Sequence, residues 1–506
     1  MLHTSIFVEL LRSQPQLTFW IATILQAALW WLVPSLFYSA PPGDLPLVLA
    51  VGHEFQLGSY YGPPLAFWFA EIAFRIGGSV GVYLLAQACV VLTYYAVFKL
   101  AQAIVGVHHA TFAVLLMVGI LSFTAPTPNF GPAVLAMPLA AFALLSLWGA
   151  IGERRRSAWF LLAIELGLLL LTTYYGLVLV AAIAVFLGIT RRGRRALRSA
   201  DPWLASMMVV VVLFPHLMWL DLTSSALPLS FRSEVPVTSY VGEWLGEIET
   251  LFLAHAGLIV LVALGSKWYL RSEARVPVFV RSFTDPFGQR FVYYFAVLPV
   301  LAVAVVAVAF GNRLAVGGFA AFLVLSGLAI IVLAGNSIPW HRPRLVAIAW
   351  SLLLVAPPLS SAAAIVMLPW IGVGFDVARP MRAIGQFFGD SFERRTNSPL
   401  AIVGGDPRLA ALVALGAPSR PSLYLDATPE RSPWVTAEEV RRKGAVVVWP
   451  SADTRAQVPP DISAHFSGLV PEVPQAFERI VQGRLPLLRI GWSMIRPQTA
   501  AQPAGK

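Results

Sequence analysis

Before residue 370 this chain repeats one pattern: an apolar run long enough to cover most of a bilayer, a short polar break, then another run. Roughly eleven such runs occur, each near the ~20 residues that cross a ~30 Å hydrocarbon layer. They fall near 17–38, 79–104, 108–124, 130–150, 157–173, 175–190, 203–220, 247–266, 291–310, 314–334 and 346–368. In lipid a single run can satisfy its own backbone only as a helix. The expected fold class is therefore mainly α: a polytopic helical bundle of about eleven transmembrane helices. Composition agrees, since 58% of the 506 residues are hydrophobic and 12% charged. Soluble domains carry about twice that charged share.

The formal net charge of +10 would suit a nucleic-acid binder, but its placement argues otherwise. The basic residues form short clusters between apolar runs: Arg154-Arg155-Arg156, Arg191 to Arg198, Lys267 to Arg290, and Arg342 with Arg344. With the N-terminus inside, all of these fall on the cytoplasmic side, as the positive-inside rule requires. Nucleic acid is excluded as the partner this charge serves. An odd number of spans then places the loop after the first run and the polar C-terminus together outside the cytoplasm. The N-terminal run is too long, and lacks the small-residue pattern, for a cleavable signal. Cys89, the single cysteine, sits in an apolar run and allows neither an internal disulfide nor a cysteine-based metal site. No internal repeat is evident.

Composition changes near Pro369. Residues 375–388 carry Arg379 and Arg382 against Met381, Ile384 and Phe388, the pattern of a surface helix. Short apolar strands follow at 400–405, 421–426, 444–450 and 485–495, with helical patterns at 407–415 and 436–442. Alternating strands and helices of this kind predict a small α/β domain. Two domains result: residues 1–368, including an outer-face loop at 40–68, and an extracytoplasmic domain at 369–506. GGDP at 404–407 lacks the spaced glycines and lysine of a phosphate loop and reads as a tight turn. The tail TAAQPAGK reads as disordered.

The chemistry-bearing stretch is the loop, APPGDLPLVLAVGHEFQLGSYYGPPLAFW at 40–68. Leu45, Val48, Leu49, Phe55 and Leu57 recur at helical spacing, which predicts a helix from Asp44 to Gln56 lying along the membrane surface. Asp44 has two compatible readings. It follows Pro-Pro-Gly, as a helix cap would, and an exposed carboxylate at a membrane rim can also serve as a general base. His53 and Glu54 could contribute to a cation site, although two ligands from one helix need others, and headgroup-level polarity explains them equally. Further polar groups lie near the same face: Asn129 in a proline-rich loop, Tyr174 and Tyr175 between two runs, and His216 after Pro215 near a span end. An ionisable group in a span is a functional hypothesis by default, and interfacial packing is the alternative.

Residues 43–68 resemble the first outer loop of bacterial family-39-type glycosyltransferases, the relatives of aminoarabinose transferase and the protein O-mannosyltransferases. An early aspartate, a glycine-aromatic step and Pro-Pro-Leu before tryptophan carry the likeness. It continues through YLLAQACVVLTYYAVFKLAQ, NFGPAVLAMPLAAFALL, AWFLLAIELGLLLLTTYYGLVLV and FPHLMWL, and again in GDPRLA, RPSLYLD and SPWV. The resemblance implies a GT-C fold in the bacterial inner membrane. It implies a polyprenyl-phosphate sugar donor and an extracytoplasmic lipid, glycan or protein acceptor. Asp44 stands where the family has its base. His53, Glu54, Tyr61, Asn129, Tyr174 and His216 are the expected donor- and acceptor-binding residues. The chain departs from the pattern at Tyr61-Gly62, where relatives place a lysine or histidine before Pro-Pro, at Thr173, where many place lysine, and at Leu45, where many place glutamate. Arg75, Arg232 or Arg313, or a divalent metal held by Glu54 and His216, would supply the missing positive charge. The rival expectation is a lipid or glycan transporter or assembly partner without catalysis. Transporters carry paired repeats and midplane polarity, whereas the polarity here lies at the outer rim.

Overall fold

The computed structural model describes residues 2–223, 237–266, 278–281, 284–339, 342–428, 430–466 and 468–498. Arg232, the basic segment 267–277 and the tail 499–506 lie outside the described residues. The chain divides into two compact units, Met1–Val33 with Tyr83–Met218 and Ala226–Ser360, and Pro34–Val82 with Trp219–Ser225 and Ser361–Lys506.

The first unit is a helical bundle. Every expected apolar run is helical, but among the described residues seven helices are long and apolar enough to cross a membrane. They become eight if Val316–Phe322 and Ser326–Leu333, bent by 60°, count as one. Among the described residues the count of eleven is thus not confirmed. Val107–Met117, Ser157–Leu170 and Gly176–Ile189 are 11, 14 and 14 residues long. At 1.5 Å per residue, 14 helical residues cover only ~21 Å of a ~30 Å layer. Two of these helices match the expected runs 157–173 and 175–190 to within three residues, whereas the run 108–124 ends its helix early, at Met117. In this unit the buried Gln26 side chain ties separate helices together, donating to the Phe123 carbonyl at 2.8 Å and to the Tyr94 hydroxyl at 3.0 Å. A cleft of about 820 Å³ opens along Val237–Gly265, lined by Leu251, Phe252, Leu258, Ile259 and Ile330. Its polar lining residues are His255 and Ser266, and His255 Nε2 lies 3.1 Å from the Ser326 hydroxyl.

The second unit joins the outer loop to the C-terminal domain. Helix α1 is Leu45–Gly52, and α2, Leu65–Val105, contributes its first part, up to Val82. A break at Gly77 and Gly78, the latter at φ +59°, separates that part from the following span. This matches the expected run from 79. The C-terminal domain runs α3 (Met381–Thr396), β1 (Ile402–Gly405), α4 (Pro407–Gly416), β2 (Ser422–Tyr424), α5 (Ala437–Lys443), β3 (Ala445–Pro450), β4 (Pro471–Phe477) and β5 (Leu488–Ile495). The sheet order is β2-β1-β3-β5-β4, with β1 parallel to β2 and β3, and β5 antiparallel to β3 and β4.

The apolar runs of β1 and β3 are buried along nearly their whole length, as strands covered on both faces should be. The GGDP segment is indeed a tight strand-to-helix turn. Gly405 sits at φ +101°, where a Cβ would lie 2.0 Å from the Val448 carbonyl oxygen, and Asp406 accepts from the Leu409 amide at 2.9 Å. Strand β4 was not expected; its sequence, PEVPQAF, carries two prolines and a charge, which an edge strand tolerates.

The surface helix expected at 375–388 is corrected. A 3₁₀ turn occupies Asp376–Ala378, and α3 begins only at Met381, burying Met381, Ile384, Gly385, Phe388 and Phe392. Its cover is α4: a Cβ on Gly385 would fall 2.0 Å from the Gly416 carbonyl carbon. Helical spacing revealed an apolar face, not what would cover it.

Candidate active site

Proline and glycine at 42–43 turn the chain, Gly43 at φ +56°, and Pro46 starts α1 near its first turn. The helix is shorter than the expected Asp44–Gln56, because Phe55 turns to φ +48° just after it. Nor does it lie on the membrane surface. Leu45, Pro46, Val48, Leu49, Ala50, Val51 and Gly52 are all buried, and α4 packs against it. On the α2 side, a Cβ at Gly52 would lie 2.3 Å from the Phe67 carbonyl oxygen, so only glycine permits the approach. The apolar stripe continues round the helix, as expected for an element enclosed by protein.

Asp44 holds the N-cap position but makes no side-chain capping bond. Its carboxylate points outward, 63% exposed, and Oδ1 accepts from Nη2 of Arg408 at 3.3 Å. Arg408 is the second residue of α4, directly after the GGDP turn. A tight turn in one segment and a buried helix in another thus bring one carboxylate and one guanidinium together.

The same unit contains a buried charge cluster. Glu71, on α2, is 1% exposed and accepts from Arg420 Nη2 at 2.7 Å and from Arg75 Nε at 2.9 Å, with His53 Nδ1 at 3.1 Å. Arg420 also lies over the Phe74 ring at 4.6 Å, and its own backbone is left-handed at φ +49°. Burial pulls the Arg420 guanidinium below its ordinary value, and Glu71 opposes that pull. Arg75, one expected source of positive charge, is committed to Glu71 and to the Phe55 ring. Glu54 is separate from this cluster. Burial pushes its carboxyl above the usual range, partly offset by a hydrogen bond to Ser422, while Oε1 is buried without a partner. Tyr61 stands edge-on to Tyr60 at 5.5 Å. Its phenol is pushed up by burial, against the pull of Arg431, which lies over the Tyr60 ring and pairs with Asp426.

Asp44, His53, Glu54 and Tyr61 therefore fall in one unit, and Asn129, Tyr174 and His216 in the other. In that bundle the Tyr174 hydroxyl and His216 Nε2 are 3.1 Å apart with the rings stacked. Asn129 follows a turn, its amide donating to the Pro126 carbonyl at 3.1 Å. Arg313 approaches Gly246, near Glu247, whose Oε1 accepts from the Leu314 amide. Among the described residues no three His, Cys, Asp or Glu gather as ligands for a divalent ion. Sequence reasoning missed Arg408, Arg420 and Arg431. Nothing local marks them, since each lies more than 340 positions from the loop residue it meets.

Residues 61–219 match the family model described as dolichyl-phosphate-mannose-protein mannosyltransferase. The match begins after Asp44. The crystal structure of ArnT from Cupriavidus metallidurans bound to undecaprenyl phosphate is similar at a TM-score of 0.56 and 14% identity, covering 94% of this chain and 97% of that one. An oligosaccharyltransferase of Archaeoglobus fulgidus in the apo form is similar at 0.47 and 14% identity, over 83% of this chain and 65% of that one. Among curated proteins no sequence match is found. The chain is thus a multi-pass membrane protein with the GT-C fold, similar over residues 61–219 to the protein mannosyltransferases.

Proposed function

We propose that this chain is a membrane glycosyltransferase that moves a sugar from a polyprenyl-phosphate donor to an acceptor outside the cytoplasm, with Asp44 as general base. The observation that carries this reading is the exposed Asp44 carboxylate, uncommitted to capping and fixed at the head of a buried helix. General-base assistance requires a carboxylate within hydrogen-bond reach of the attacking hydroxyl. Asp44 takes the acceptor proton, the hydroxyl oxygen bonds to the anomeric carbon, and the bond from that carbon to the phosphate oxygen breaks. The released polyprenyl phosphate carries the negative charge. Arg408, 3.3 Å from Asp44, is the countercharge this reading assigns to the departing phosphate, in place of the basic residue that relatives carry before Pro-Pro. The apolar cleft along Val237–Gly265 would suit an isoprenoid chain. This reading places the protein in the bacterial inner membrane with its C-terminal domain on the outer face.

Purified protein incubated with a panel of polyprenyl-phosphate sugars and candidate acceptors should release free polyprenyl phosphate. If no member of a broad panel is turned over by well-folded protein, the transferase reading fails.

A further inference from the structure

The connection between β4 and β5, residues 478–487, carries a feature that glycosyl transfer does not use. It is a built structure. The Arg479 amide donates to Gln482 Oε1 at 2.9 Å, and Gln482 Nε2 donates to the Leu485 carbonyl at 2.6 Å, which closes the tip on itself. The tip is then fixed to the end of a candidate membrane span. That span runs from Pro343 to Ile371, its last turn being the 3₁₀ segment Leu368–Ile371. The Arg484 amide donates to the Pro369 carbonyl at 2.9 Å. Gly483, at φ +53°, lies so close that a Cβ would stand 2.4 Å from that carbonyl.

The depth of the tip follows from this bond. A span that ends at Ile371 puts Pro369 and Trp370 at the level where hydrocarbon gives way to headgroups, the level tryptophan favours. Trp370 and Ile371 are exposed there, and so is Ile480, at 67%, on the tip. A single exposed isoleucine means little by itself. One held on a closed tip, bonded to the last turn of a span and flanked by Arg479 and Arg484, has the makeup of an interfacial anchor. Positive charge fits the phosphate level as well: Arg379, Arg479 and Arg484 stand against Asp376 and Glu478, three against two.

We propose that residues 478–487 form an interfacial foot that seats the C-terminal α/β domain on the phospholipid headgroup layer, with Ile480 inserted and the arginines at phosphate depth. The sheet gives this contact a purpose. Strand β5 pairs antiparallel to β3 with Ile490 opposite Pro450, so the foot lies at the end of the sheet where β1 and β3 terminate. The GGDP turn and Arg408 leave from that same end. The foot therefore sets the height of Arg408 and its partner Asp44 above the leaflet. This last link rests on the transferase reading, whereas the membrane contact itself does not.

The test is a depth measurement that needs no turnover. In full-length Cys89→Ala protein, Ile480→Cys and, as reference, Arg442→Cys carry a nitroxide in nanodiscs of phosphatidylcholine and phosphatidylglycerol. Arg442 is exposed near the end of α5, beside the Gly444 that opens β3 at the opposite end of the sheet. The expected result is a ratio of oxygen to nickel-chelate collisions several-fold higher at 480 than at 442. Equal ratios would mean that the tip stands in water, and exclusion of both relaxants at 480 would mean that protein covers it. Either result overturns the proposal. Unchanged melting curves establish that both labelled variants are folded.

Discussion

Arg420 donates from Nη2 to Oε2 of Glu71 across 2.7 Å, joining residues 349 positions apart in the chain. Glu71 is almost fully enclosed and Arg420 mostly so. The cluster ties the outer-loop helix pair to the C-terminal domain within one compact unit, and Asp44 with Arg408 joins the same two segments. The α/β domain is therefore part of the site's framework.

Glu71→Gln leaves the Arg420 guanidinium without its partner, and breaking a buried pair in this way typically costs about 3–5 kcal/mol. Arg420→Met and Glu71→Gln should each lower the melting temperature of the purified protein, Glu71→Gln the more, because Arg75 and His53 remain on Glu71 when Arg420 is lost. The double variant Glu71→Gln/Arg420→Met should be less unstable than the two single losses added together. Additive losses would show that the two residues are not coupled.

Asp44→Asn separates base from structure. Asparagine is nearly isosteric but takes no proton from a hydroxyl at neutral pH. Since general-base assistance is worth about 10²–10⁴ in rate, turnover should fall by that range. The melting temperature should barely move, because Asp44 makes no capping bond to lose. A folded Asn variant that keeps most of its turnover, with chemistry limiting, would remove Asp44 from the mechanism.

Arg408→Ala probes the countercharge. Both partners of its ion pair are about two-thirds exposed, and exposed pairs add little stability. The variant should melt within about 0.5 kcal/mol of the parent. If Arg408 meets the donor phosphate, KM for the lipid donor should rise or turnover fall, whereas unchanged kinetics would assign the arginine to Asp44 alone.

Glu54 gives a pH dependence with a definite sign. Burial raises its carboxyl pKa in the folded protein, so the native state binds that proton more tightly than the unfolded chain does. Its contribution favours folding at low pH and is lost as pH rises through the raised value. Glu54→Gln should therefore stabilise the protein at about pH 8, and the gain should shrink toward about pH 4. A gain that is constant across this range would point to packing and not to titration.

The expected orientation is checked by labelling intact spheroplasts with a membrane-impermeant thiol reagent. Cysteine in place of Asp44 or Arg442 should react, and cysteine in place of Arg194, in the basic cluster, should not. The reverse pattern would overturn the topology and place the site in the cytoplasm.

The fold class was legible without any tertiary contact. Apolar runs near bilayer length demand helices, clustered arginines predict their orientation, and Pro-Pro-Gly-Asp marks the start of α1. Strand-helix alternation after residue 400 announced the α/β domain and the tight GGDP turn. All of these are local properties, set by hydropathy, backbone preference and spacing within a few turns. Tertiary structure alone decided the rest. It closed α1 after Gly52 and buried it, ended the helix of the run 108–124 at Met117, and turned α3 inward onto α4. It also chose the partners of the loop: Arg408 for Asp44, Arg420 for Glu71, Arg431 beside Tyr60. An arginine's charge is legible anywhere in a sequence, but its counter-ion is fixed by which segments fold against each other. That depends on the packing of glycines such as Gly52, Gly385 and Gly405 against distant backbone, which no spacing within the chain encodes.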